Sequence, residues 1–117
     1  YNTSGLIESD LEFAAQFGVK DLILSSYDFG GLLPGESRWE LEDIINLKTR
    51  VENHGMKIFC IENVPNRFYE DIMLNGPSRE KQIDNMIYTI RNIAKAEIPV
   101  FGYHWMPNIV WRTTEIK

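Results

Sequence analysis

The chain has 117 residues, of which 44% are hydrophobic and 25% charged, with a formal net charge of −5 and one cysteine. This length suffices for one domain with a buried core, and the absence of a basic patch makes nucleic acid an unexpected partner. The single cysteine, Cys60, excludes an internal disulfide and is typical of a buried small hydrophobe in a reducing compartment. We expect a cytoplasmic protein with neither a signal peptide nor a membrane span.

The first predicted helix runs from Asp10 to Phe17, and Gly18 follows it as a C-terminal cap. The apolar run Val19 to Leu24 then has the length and composition of a β-strand. Residues 25 to 37 are rich in Ser, Gly, Asp and Pro, which predicts a loop.

The second predicted helix covers residues 37 to 53, because Ser37 and Glu40 have the spacing of a capping box and apolar residues recur on one face. His54 follows the last turn, where a cation complements the helix dipole, so we interpret it as a cap and not as a ligand. Met56 to Glu62 is the second predicted strand.

A long predicted loop, residues 63 to 77, contains Glu70 and Asp71, which we expect to be solvated, and precedes a third helix over residues 78 to 96. This helix has the clearest apolar face in the chain, formed by Ile83, Met86, Ile87, Ile90, Ile93 and Ala94. Its predicted solvent face carries Asp84, Asn85, Tyr88, Arg91, Asn92 and Lys95. A third strand is predicted over Pro99 to Gly102.

The three joints between a helix and the following strand repeat one pattern, with Gly18, Gly55 and Glu97 at equivalent positions. Helices alternating with nearly continuous apolar strands predict an α/β fold with a parallel sheet. A doubly wound sheet is one option, but no strand is followed by the short Gly-rich turn common in such folds. The other option is about three βα units of a (β/α)8 TIM barrel, which in full needs roughly 200 residues.

Polar and aromatic residues follow the second and third predicted strands, at the edge of a parallel sheet where ligands bind. Glu62 can act as a base, a metal ligand or an acceptor for sugar hydroxyls, or form an ion pair with Arg67 or Arg112. His104 can carry a proton or bind a metal, or be an ordinary half-buried histidine. Tyr103 is a candidate wall for a sugar ring.

The remaining candidate residues are Trp111, a second surface on which a sugar ring can stack, and Arg112, whose guanidinium matches a carboxylate. Strand alternation predicts that Ile58, Cys60 and Glu62 share the inner face of the sheet, and that only one of Tyr103 and His104 points inward. No spacing in the chain predicts a metal site.

Four motifs then occur in order: IENVP at residues 61–65, EDIMLNGPSR at 70–79, IDNMIYTIRN at 83–92 and IPVFGYHWMP at 98–107. Together they resemble the N-terminal part of mannonate dehydratases. The resemblance implies that residues 1–117 are the N-terminal portion of one TIM-barrel domain related to the xylose isomerase-like sugar enzymes. It also implies dehydration of D-mannonate, a small sugar acid, to 2-keto-3-deoxy-D-gluconate in hexuronate (glucuronate) breakdown.

The family resemblance further implies Mn2+ or Fe2+ as cofactor, with the metal ligands expected beyond Lys117 and not at Cys60. Carried over to this sequence, the substrate-binding residues would be Glu62, Tyr103, His104, Trp111 and Arg112, with His104 the candidate catalytic proton carrier. A homo-oligomer is compatible with this interpretation.

Two alternatives remain open from the residues. The chain can belong to a sugar isomerase or epimerase of the same barrel superfamily, which would share every feature described above. It can also be a non-catalytic partial barrel that pairs with itself or with a second chain, because an incomplete barrel leaves strand edges and core faces uncovered.

Overall fold

A computed structural model describes residues 8–25 and 33–104 of the chain. The helices are α1 (Glu8–Gln16), α2 (Leu41–Asn53), α3 (Glu70–Leu74) and α4 (Arg79–Lys95), with a 3-10 turn at Asn66–Phe68. The strands are β1 (Asp21–Ser25), β2 (Lys57–Glu62) and β3 (Val100–Gly102). Each predicted helix and strand is therefore present, with its ends shifted by a few residues.

The three strands form a parallel sheet in the order β1-β2-β3. Leu24, Ile61 and Phe101 lie side by side across it, and they pack in or against the hydrophobic core that the helices form. A doubly wound sheet reverses its strand order and is covered on both faces. Sequential order with a core on one face is instead the arrangement of consecutive TIM-barrel units, so the fold is a partial barrel.

The opposite face of the sheet is uncovered in the described structure. Ile23, Phe59 and Val100 are 64%, 48% and 37% exposed there. The pairing shifts by one residue after the Leu22–Ile58 pair, so that Phe59 is an extra residue in β2. This β-bulge makes one prediction wrong: Ile58 packs in the core and does not share the open face with Cys60 and Glu62.

The repeated helix-to-strand joint is confirmed. Gly18, Gly55 and Glu97 all have left-handed backbones, with φ of 72°, 74° and 59°. At each joint the residue after the left-handed one donates its amide to a carbonyl five positions earlier, as in Ile98 to Ile93 at 3.3 Å. This is the hydrogen-bonding pattern of a Schellman motif, and it turns each helix into its strand in the same way.

The start of α2 and the exposed face of α4 differ from the prediction. Residues 37 to 40 are not helical. Glu40 is instead the N-cap of α2, with an extended backbone (ψ 150°) and no capping hydrogen bond from its side chain. On α4, which contains most of the third predicted helix, the predicted solvent face is partly the buried one. Asn92 is 2% exposed, whereas Ile87 and Ile90 are each 42% exposed.

The segment predicted as a loop, residues 63 to 77, contains the 3-10 turn and α3. Asp71 is not simply solvated: its carboxylate accepts a hydrogen bond of 2.9 Å from the Ser78 amide. A β-carbon at position 76 would collide with that carboxylate, which explains the glycine there. In residues 8–25 and 33–104, no helix is both long and apolar enough to cross a membrane.

Candidate functional site

The carboxyl ends of the three strands place Ser25, Glu62 and Gly102 beside one another. A β-carbon at position 102 would lie 3.6 Å from Cγ of Glu62 and 3.8 Å from Sγ of Cys60, so these side chains share the open face. Glu62 is exposed, and its carboxylate is therefore accessible at the sheet edge where barrel enzymes bind their substrates.

A mainly apolar cleft of about 360 Å³ lies between α4 and the end of β3. Its lining residues come from the loop after β2, from α4 and from the end of β3, and are Val64, Tyr69, Met86, Ile90, Phe101, Tyr103 and His104. Tyr103 is 70% exposed, whereas both ring nitrogens of His104 are shielded from solvent. Strand β3 ends at Gly102, so alternation does not separate these two residues and both line the cleft.

The structure thus brings Tyr103 and His104 together in the cleft, and it places Glu62 outside the cleft on the open face of the sheet. Trp111 and Arg112 lie outside the described residues. Arg67, one of the two ion-pair partners considered for Glu62, donates hydrogen bonds to the backbone carbonyls of Gly35 (3.0 Å) and Glu36 (3.2 Å).

Two residues that lie near the candidate site were not identified from the sequence. Tyr69 lines the cleft and is 2% exposed. Asn63 directly follows β2, is 3% exposed, has φ of 66°, and donates its backbone amide to the Gly102 carbonyl at 2.9 Å. An Asn after a strand end is a usable signal for such a turn, because Asn tolerates the left-handed region better than most residues.

His54 is the C-cap of α2, as the sequence predicted. Its Nε2 lies 2.5 Å from a carboxylate oxygen of Glu8 in α1, so it also links two helices. The hydrogen bond from His54 holds the pKa of Glu8 below its usual value. This pair is part of the scaffold and not of the cleft.

The described residues do not form a metal centre. Among residues 8–25 and 33–104, no three His, Cys, Asp or Glu side chains are close enough to hold one ion. Cys60 is a free thiol, 8% exposed, as expected of a small buried hydrophobe. The set of donors typical of a divalent transition metal is therefore not present in this part of the chain.

A family model described as D-mannonate dehydratase (UxuA) matches residues 8–117. The chain belongs to the mannonate dehydratase family. A mannonate dehydratase of Thermotoga petrophila is 38% identical over 99 residues, which cover 85% of this chain and 26% of that protein. One from Streptococcus equi subsp. zooepidemicus is 35% identical over 106 residues, covering 91% of this chain and 28% of that protein.

The crystal structure of the mannonate dehydratase from Streptococcus suis serotype 2 superposes with a TM-score of 0.71 at 32% identity. The superposition covers 95% of this chain and 30% of that one. The chain therefore spans between a quarter and a third of the mannonate dehydratases it matches. Its three βα units correspond to part of the fold of that family.

Proposed function

We propose that the whole protein to which this chain belongs is a hydro-lyase that converts D-mannonate to 2-keto-3-deoxy-D-gluconate, in the breakdown of hexuronates in the cytoplasm. The observation that carries the proposal is the family match over residues 8–117. The relatives described above are all named mannonate dehydratase, which supports this proposal over a sugar isomerase or epimerase.

The reaction removes the proton on the carbon next to the carboxylate and the hydroxyl on the following carbon, which leaves as water. The resulting enol then becomes the 2-keto-3-deoxy acid. Such an elimination needs a base for the proton, an acid for the departing hydroxyl, and positive charge or hydrogen-bond donors near the carboxylate. Mn2+ or Fe2+ would supply that positive charge, and we propose that its ligands lie outside the described residues.

This chain would contribute the binding of the substrate and not the metal. Glu62 has an accessible carboxylate at the sheet edge and is suited to accept hydrogen bonds from sugar hydroxyls. Tyr103 offers an exposed ring beside His104, which is suited to hold or move a proton. We propose Trp111 as a further stacking surface and Arg112 as a partner for the substrate carboxylate.

The activity is tested with the protein encoded by the longest reading frame that contains this chain. It is incubated with D-mannonate, with and without added Mn2+, and formation of the 2-keto-3-deoxy acid is followed. Metal-dependent product formation supports the proposal. A folded protein that forms no product with either Mn2+ or Fe2+ contradicts it.

The proposed binding residues are tested in the same assay. Replacing Glu62 by Gln removes a charge but keeps the size, and it should raise KM for D-mannonate roughly tenfold, the usual effect of losing a charged hydrogen-bond acceptor. Glu42→Gln, on the exposed first turn of α2, is the matched control and should leave KM unchanged. His104→Gln should lower kcat if the imidazole carries a proton.

A further inference from the structure

Helix α4 presents polar side chains to two loops at the carboxyl edge of the sheet. We call the four residues Gln82, Tyr88, Thr89 and Asn92 the α4 clamp. The first loop is residues 33–40, before α2, and the second loop is residues 63–74, after β2. Each clamp residue hydrogen-bonds to one of these loops, over sequence separations of 10 to 53 residues.

Two clamp residues hold the backbone of Trp39 in the first loop. The Trp39 amide donates to Oγ1 of Thr89 at 3.2 Å, and Nδ2 of Asn92 donates to the Trp39 carbonyl at 3.0 Å. Trp39 and Thr89 are 0% exposed and Asn92 is 2% exposed. Both backbone groups of one buried residue are thus bound from α4, which fixes the loop in position along the helix.

A third clamp residue holds the end of the first loop. The hydroxyl of Tyr88 donates to one carboxylate oxygen of Glu40 at 2.6 Å, while Arg38 donates to the other oxygen at 2.8 Å. The guanidinium of Arg38 also lies 4.1 Å from the centre of the Tyr88 ring. These hydrogen bonds hold the pKa of Glu40 below its usual value.

The fourth clamp residue, Gln82, holds the second loop. Its Oε1 accepts hydrogen bonds from the amides of Asp71 (2.9 Å) and Ile72 (3.3 Å), and its Nε2 donates to the Arg67 carbonyl at 3.1 Å. Helix α3 has only five residues and cannot be stable alone. Gln82 supplies the acceptor that its first turn lacks.

The two loops also contact each other, so that they form one unit. Arg67 in the second loop donates to the carbonyls of Gly35 and Glu36 in the first. The rings of Trp39 and Phe68 pack edge to face with their centres 5.8 Å apart. A shift of either loop therefore disturbs the other.

The second loop forms one wall of the cleft. Val64 and Tyr69 come from this loop, and they line the cleft together with Tyr103 and His104. Met86 and Ile90 of α4 lie in the same lining. The loop that Gln82 holds therefore extends from the residue after Glu62 to one wall of the cleft.

We propose that the α4 clamp is a positioning device for the substrate site, with Gln82 as the residue that holds the loop following Glu62 at the carboxyl edge of the sheet. Neither Gln82 nor Asn92 lines the cleft, so they act through the loops and are positioning residues. This inference rests on the proposed function, because it assigns the carboxyl edge of the sheet to the binding of D-mannonate.

The test compares Gln82→Met with Lys81→Met in the longest protein that contains this chain, loaded with Mn2+. Methionine keeps the length of glutamine but removes all three hydrogen bonds, whereas Lys81 is exposed on the same turn and makes none of these bonds. In Gln82→Met, we expect the amides of Asp71 and Ile72 to exchange hydrogen about threefold to tenfold faster, the effect of one lost hydrogen bond.

The kinetic readout separates positioning from a general loss of stability. Displacing the loop after Glu62 should raise KM for D-mannonate about threefold to tenfold with kcat within about twofold, whereas partial unfolding lowers kcat per total protein and leaves KM unchanged. Gln82→Glu keeps an acceptor for the amides of Asp71 and Ile72, and its KM should be close to that of the unmodified protein. Lys81→Met should leave amide exchange and KM unchanged.

Three outcomes are decisive. A raised KM together with faster amide exchange in Gln82→Met, and neither in Lys81→Met, supports the inference. An active unmodified protein whose KM does not change in Gln82→Met overturns the inference alone. An unmodified protein without dehydratase activity overturns the proposed function, and with it the link between the loops and this substrate.

Discussion

The side-chain amide of Asn92 donates a 3.0 Å hydrogen bond to the backbone carbonyl of Trp39, across 53 residues of sequence. Both residues are buried, and the Trp39 carbonyl has no access to water. The amide of Asn92 therefore supplies the hydrogen-bond donor that this carbonyl needs. It explains why a helix with a clear apolar face turns part of its polar face inward. Together with the bond from the Trp39 amide to Thr89, it also explains why α2 begins at Leu41 and not at Ser37: both backbone groups of Trp39 are bound to α4.

We expect Asn92→Leu to lower the free energy of unfolding by about 1–3 kcal/mol, because the buried Trp39 carbonyl loses this donor. Arg91→Leu introduces the same side chain at the neighbouring exposed position and should change stability by less than about 0.5 kcal/mol. Urea unfolding measures both. Equal stability of the two variants would show that the Asn92 bond makes no net contribution.

Replacing Glu97 by Gly should stabilise the protein by about 0.5–1 kcal/mol, because Glu97 adopts the left-handed conformation (φ 59°) that glycine accepts without strain. The Lys48–Glu97 ion pair, at 3.6 Å with Glu97 85% exposed, is a surface pair and offsets only part of this gain. Gly55→Ala at the equivalent joint should destabilise the protein. Thermal unfolding at high salt, which screens the ion pair, gives the clearest comparison.

The Glu8–His54 pair predicts a loss of stability in acid. The pKa of Glu8 is lowered in the folded state from its ordinary value of 4.5, mainly by the hydrogen bond from His54. A depressed folded-state pKa contributes stability above the unfolded-state pKa and loses it as the pH falls through the folded value. The stability advantage of the unmodified protein over Glu8→Gln should therefore be constant just above pH 4.5 and shrink below it. An advantage that grows towards lower pH would contradict this linkage.

The 117-residue chain alone should associate, because the open sheet face exposes Ile23 (64%), Phe59 (48%) and Val100 (37%). Static light scattering of the purified chain measures this directly. Ile23→Lys places a charge on that face and should reduce the apparent mass, whereas Asn46→Lys, on the exposed side of α2, should not. A stable monodisperse monomer would count against a partial barrel that needs further strands or a partner chain.

Periodicity and turn residues were sufficient to predict the order of the elements and their repeat. Gly18 and Gly55 marked two helix ends, and the apolar runs marked the three strands. The β-bulge at Phe59 could not be predicted. The run KIFCIE has the pattern of a regular strand, and the extra residue becomes evident only from its pairing with β1. That single extra residue reverses the side on which Ile58 lies.

The candidate site was predictable only in outline. A strand end followed by polar residues indicated the sheet edge at which Glu62, Tyr103 and His104 lie, but not that Tyr103 and His104 line a cleft that excludes Glu62. The contribution of Tyr69 and Gln82 depends on how the loop after β2 folds against α4, which is a contact between distant parts of the sequence. Helical periodicity assumes that apolar faces are buried, and it therefore misassigned Asn92.

The most direct test of the central claim is to follow the fate of the substrate by NMR. The longest protein containing this chain, loaded with Mn2+, is given D-mannonate and, separately, an aldose and a ketose, and all products are identified. We predict that D-mannonate alone is converted, with loss of water and formation of 2-keto-3-deoxy-D-gluconate. Isomerisation or epimerisation of a sugar, with D-mannonate left unchanged, would contradict the dehydratase assignment and support the isomerase alternative.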